Sequence, residues 1–85
     1  MTDFDWHAYG FVVGSDYRKK VVNAIGSGPR TPSQIAADVG VHRNHVSSTL
    51  KDLEKAGIVD CLTPDLRKGR LYQLTERGRQ ILGKL

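Results

Sequence analysis

The chain is 85 residues long, 39% apolar and 26% charged, with a formal net charge of +4. At this size a chain buries roughly 60–65% of its unfolded surface, enough for one compact core. Its single cysteine allows no internal disulfide or cysteine-pair metal site, no apolar run nears the ~20 residues that span a bilayer, and its acidic, aromatic start is unlike a signal peptide, so a cytoplasmic location is expected.

Residues 4–13, FDWHAYGFVV, carry Phe4, Trp6, Tyr9 and Phe11, four of the six aromatics. Residues 9–13 are read as a short extended segment. These aromatics either cover the core of a small domain or build a homodimer seam with the last helix. Ser15 or Asp16 caps a first helix, YRKKVVNAI, whose apolar stripe is Val21, Val22 and Ile25. The stretch GSGP at 26–29 ends it, because Gly serves a C-cap and Pro cannot continue a helix.

Thr31-Pro32-Ser33 opens a second helix. Thr31 is the cap candidate, and Pro32 suits the first helical position, where its missing N–H is not needed. This helix is about two turns long, with Ile35, Ala36 and Val39 inward. Gly40 follows as a left-handed candidate. The next helix, about 43–56, has Val46, Leu50 and Leu53 at i, i+4 and i+7, and Asn44, Ser48, Lys51 and Lys55 on the opposite side. Two short helices separated by three or four residues around a Gly form a helix-turn-helix arrangement.

After Gly57, IVDCL and RLYQL alternate as strands around a turn with Pro64, Arg67, Lys68 and Gly69, which predicts a β-hairpin. Cys61 is expected to pack as a small apolar residue. Thr75 caps a last helix, ERGRQILGKL, with Ile81, Leu82 and Leu85 apolar. There is no repeat, low-complexity tract or linker, and residues 1–85 read as one domain.

The stretches TPSQIAADVGVHRNHVSSTLKDLEKAGIVD and GRLYQLTERG resemble the winged helix-turn-helix transcription regulators of the broad MarR/ArsR-like group, the short single-domain archaeal and bacterial members most of all. The similarity covers residues 16 to about 79. It implies an α+β fold: a three-helix core, a β-hairpin wing and a C-terminal helix at 75–85, preceded by the aromatic segment 1–14. It also implies DNA binding and dimerisation. Some members of the group sense metals through paired cysteines, which this chain lacks.

The residues support the same reading. Residues 1–41 hold four basic and four acidic side chains, whereas residues 42–85 hold nine basic and five acidic, so the whole excess of +4 lies in the second half. The major groove of DNA admits one α-helix, and the residues at that helix's start touch base edges. Asn44, His45, Ser47 and Ser48 are short enough for close approach; Asn44 suits adenine and Arg43 guanine. Lys51 and Lys55 lie farther along and suit phosphates. Arg67, Lys68 and Arg70 sit on the wing, about 58–74, where a hairpin meets the backbone or minor groove. Thr31, Ser33 and Gln34 begin the second helix, whose N-terminal end favours a phosphate.

The competing readings are blander. Arg, Asn and Ser on a helix face are commonly just solvated. His42 and His45 have metal-capable spacing but no third ligand nearby, so no metal or other cofactor is expected. Glu54 reads as a surface charge. No Gly-rich phosphate loop, nucleophile triad or paired-carboxylate site is present, so an enzyme is not expected. The alternative function is a winged helix used for protein contact, which calls for exposed apolar anchors on helix 43–56. That face carries Asn, Ser and Lys instead.

Overall fold

The computed structural model describes residues 3–26 and 28–85. Among these described residues five helices and one hairpin follow in the order α1 (Trp6–Val13), α2 (Asp16–Ile25), α3 (Pro32–Val39), α4 (Arg43–Lys55), β1 (Val59–Cys61), β2 (Tyr72–Leu74) and α5 (Glu76–Leu82).

Residues 9–13 are helical, which corrects the expected extended segment. The Asp5 carboxylate caps α1 by accepting the Ala8 N–H at 2.9 Å. Ala8 and Val12, one turn apart, face the core. Capping and burial of this i, i+4 pair outweigh the β-propensity of Phe11, Val12 and Val13. The strand-like flank of the hairpin comes from Arg30 instead. Its N–H donates to the Tyr72 carbonyl at 2.9 Å, and the Tyr72 N–H donates to the Arg30 carbonyl at 2.8 Å.

Helix starts follow their caps. Ser15 caps α2 by accepting the Arg18 N–H. Thr31 and Gln34 form a capping box on α3: the Gln34 N–H donates to Thr31 Oγ1 at 3.2 Å, and the Thr31 N–H donates to Gln34 Oε1 at 2.9 Å. Gly40 ends α3 at φ 80°, a left-handed backbone that a side chain resists. His42 caps α4 through Nδ1, which accepts the Asn44 N–H at 3.1 Å.

The core is where α2, α3 and α4 meet. Val21, Val22 and Ile25 pack with Ile35, Val46, Leu50 and Leu53, all fully buried. Ile58, Val59, Tyr72, Leu74 and Ile81 close it from the hairpin and α5. The hairpin is antiparallel, with Val59 opposite Leu74 and Cys61 opposite Tyr72. Cys61 is half-buried against this core, Val39 and Leu82 are half-buried, and Leu85 is exposed.

The Tyr-x-Leu-Thr-x-x-Gly stretch explains how α5 docks. Tyr72 and Leu74 point inward. The Thr75 hydroxyl donates to the Gly57 carbonyl at 2.6 Å and accepts the Gly78 N–H at 3.1 Å. Gly78 lies directly against the Ile58 carbonyl, with no room for a Cβ. Arg77 ties both ends of the chain to α4: Nη1 donates to the Ala56 carbonyl at 2.9 Å and Nε pairs with Asp5 at 3.3 Å.

Candidate nucleic-acid interface

Three segments distant in sequence enclose a groove of about 390 Å³. The start of α3 contributes Thr31, Pro32 and Ser33. One row of α4 at i, i+4 and i+8 contributes Arg43, Ser47 and Lys51. The hairpin contributes Arg67, Lys68, Gly69, Arg70 and Tyr72. The Arg30–Tyr72 pairing holds the α3 entrance beside the hairpin, so the two walls meet at the main chain.

The lining holds five cationic side chains, Arg43, Lys51, Arg67, Lys68 and Arg70, and no carboxylate. Among the described residues the ion pairs are Lys19–Asp16, Arg30–Asp38 and Arg77–Asp5, and none uses a groove cation. Like charges gathered without acidic partners raise the positive potential there and favour a polyanion.

Of the expected contact residues, Thr31, Ser33, Arg43, Ser47, Lys51, Arg67, Lys68 and Arg70 come together in this groove. Gln34, Asn44, His45, Ser48 and Lys55 are exposed but outside its lining. The Thr31 hydroxyl and the Gln34 amide oxygen are occupied in the capping box. The His45 ring sits 5.3 Å from the Tyr17 ring, tilted by 46°, which turns it toward α2. Arg70 is bonded within the wing, where Nη2 donates to the Pro64 carbonyl at 3.3 Å and Nε to the Leu66 carbonyl.

The expectation omitted Pro32, Gly69 and Tyr72 from the lining. Tyr72 could have been found from its place in Tyr-x-Leu-Thr, but its pairing with Arg30 has no local signature. Among the described residues the exposed large apolar side chains are Trp6, Leu62, Leu66 and Leu85, and none lies on α4. No helix is long and apolar enough to cross a membrane among the described residues.

A family model described as a helix-turn-helix domain matches residues 13–61. The HTH-type transcriptional regulator YdgG of Bacillus subtilis is 34% identical over 61 residues, 68% of this chain and 40% of that protein. The chain thus spans less than half the length of this relative. A crystal structure of a MarR family transcription regulator superposes with a TM-score of 0.75 at 20% identity, covering 91% of this chain and 52% of that one. The homodimeric winged helix-turn-helix DNA-binding domain of Mb0332 from Mycobacterium bovis superposes with a TM-score of 0.73 at 20% identity, covering 93% and 72%. The chain belongs to the helix-turn-helix domain family and has the winged fold of the MarR/ArsR-like regulators.

Proposed function

We propose that this chain is a sequence-selective, double-stranded DNA-binding transcription regulator acting in the cytoplasm. The observation that carries the reading is the groove with five cations and no carboxylate, framed by α3, α4 and the wing. In this reading α4 enters the major groove with its N-terminal half toward the bases. Asn44 reads adenine and Arg43 reads guanine, with Ser47 and Ser48 close enough to add contacts, while the His45 ring, turned toward Tyr17, stays to the side. Lys51 and Lys55 meet phosphates, Arg67 and Lys68 grip the backbone from the wing, and Thr31, Ser33 and Gln34 approach a phosphate from the start of α3. The polar outer face of α4 supports DNA over protein contact, since it exposes no large apolar anchor.

The chain acts as a homodimer in this proposal. Phe4, Trp6 and Tyr9 form an edge-to-face cluster with centroids 4.6–5.7 Å apart, and Trp6 is 65% exposed. The Lys84 ammonium lies 5.0 Å from the centre of the Phe4 ring. A net-acidic groove with Asp3, Glu76 and the Asp5–Arg77 pair lies near this cluster, and a net-basic one with Lys20, Lys84 and the Lys19–Asp16 pair adjoins Tyr9. Such opposite grooves suit a two-fold contact, in which each copy offers both sides. The Mycobacterium bovis domain with the same fold is a homodimer. Two copies on an inverted repeat would set their α4 helices about 34 Å apart.

The test is a fluorescence-anisotropy titration against random duplex DNA at low and moderate salt, with sedimentation of the free chain alongside. Micromolar binding that falls steeply with salt is expected, as is self-association. No binding at low salt would overturn the DNA reading, and a monomer at all concentrations would overturn the dimer.

A further inference from the structure

Arg70 differs from the other groove cations in what its guanidinium does. Nε donates to the Leu66 carbonyl and Nη2 to the Pro64 carbonyl. Both acceptors belong to the turn at the wing tip, where the Leu66 N–H donates to the Thr63 carbonyl at 3.1 Å. Thr63 holds the other side of the loop, since its hydroxyl accepts the Leu71 N–H at 3.0 Å. Arg67 and Lys68 follow this turn directly, are exposed, and make no ion pair among the described residues.

We infer that Arg70 is a positioning residue of the interface: its guanidinium spans the wing tip and fixes the loop from which Arg67 and Lys68 reach the DNA backbone, instead of contacting DNA itself. This rests on the DNA-binding reading above. The chemistry asks for arginine. A planar fork presents two N–H groups in fixed directions and reaches two carbonyls at once, whereas a lysine ammonium keeps the charge and loses the fork. The regular strands end at Cys61 and resume at Tyr72, so few ladder bonds order the loop between them. Holding such a loop before binding lowers the ordering cost of binding.

The experiment compares R70K, R70A, R67A/K68A and R67A/K68A/R70A. It measures duplex affinity across a salt series and amide hydrogen exchange of Leu66 and Leu71, the bonded amides of the loop, in the free chain. R70K and R70A are expected to weaken binding alike, by about three- to tenfold, and to speed exchange at Leu66 and Leu71. In the R67A/K68A background, R70A is expected to add less than about twofold, because the groups it positions are gone. R70K binding like the wild type, with R70A losing one unit of salt slope additively to R67A/K68A, would make Arg70 a plain phosphate contact and overturn the inference. Unchanged exchange in both variants would overturn it as well. Failure of the wild-type chain to bind any duplex would sink the DNA reading instead, and the exchange arm would still decide whether Arg70 holds the wing tip.

Discussion

The Arg18 guanidinium donates to the Phe11 carbonyl at 2.7 Å and lies 3.9 Å from the centre of the Phe11 ring. One side chain of α2 thus holds the C-terminal turn of α1 by a charged hydrogen bond and by its flat face. Arg18→Ala is expected to destabilise the chain by about 1–2 kcal/mol, the sum of a charge-assisted hydrogen bond and a half-exposed cation–π contact. Arg18→Lys should recover less than half, because the stacked plane is lost. Urea denaturation of both variants checks this, and equal stability of lysine and arginine would rule out the stacking component.

Two glycines make a matched pair for testing packing. A Cβ on Gly78 would run into the Ile58 carbonyl and lie 3.1 Å from the Leu74 side chain, whereas one on Gly10 meets no described atom within 4 Å. Gly78→Ala is expected to cost more than about 2 kcal/mol through strain where α5 meets the hairpin. Gly10→Ala, within α1, should stabilise by roughly 0.5–1 kcal/mol through helix propensity. Thermal unfolding of the two variants should move in opposite directions.

Tyr17 buries its hydroxyl without a hydrogen-bond partner among the described residues, while its ring lies beside His45. An unpaired buried hydroxyl costs free energy that phenylalanine does not incur. Tyr17→Phe is therefore expected to raise stability by up to about 1 kcal/mol and leave DNA affinity within about twofold, since the ring contact is kept. A clear loss of stability in denaturant would mean that the hydroxyl has a partner in solution.

Groove residues divide by the kind of effect expected. Lys51→Ala and Arg67→Ala should weaken binding to every duplex and lower the salt slope by about one unit each. Lys19→Ala lies outside the groove and should leave the slope unchanged. Asn44→Ala or Ser48→Ala should change preference by about 1–3 kcal/mol at one base pair, read by selection on randomised duplexes. A uniform loss across sequences would remove Asn44 and Ser48 from base reading.

Much of the three-helix core was legible in the sequence because its signals are local. The Thr31 cap, Pro32, Gly40 and the Val46–Leu50–Leu53 stripe each act within about one turn of their own position. Residues 9–13 mislead because β-branched and aromatic side chains dominate there, and the deciding Asp5 cap and Ala8–Val12 burial lie partly outside the segment. The cap role of His42 was missed because imidazole is an uncommon cap. The cations of the interface were legible by type, but their assembly was not. Thr31 and Lys51 come together where α3 packs on α4, and Arg70 joins them where Arg30 pairs with Tyr72, more than forty residues later. Arg70 itself shows only its charge in the sequence, while its bonds are to main-chain carbonyls that no residue type reveals.

The reciprocal pair of hydrogen bonds between Arg30 and Tyr72 acts as the gauge of the molecule's mouth. One jaw departs from Thr31, immediately after the first partner, and the other ends at Arg70, just before the second. The span between them is therefore written in peptide geometry and is indifferent to which side chains line it. Residues on either jaw can be exchanged to retune what is gripped while the calibre stays fixed.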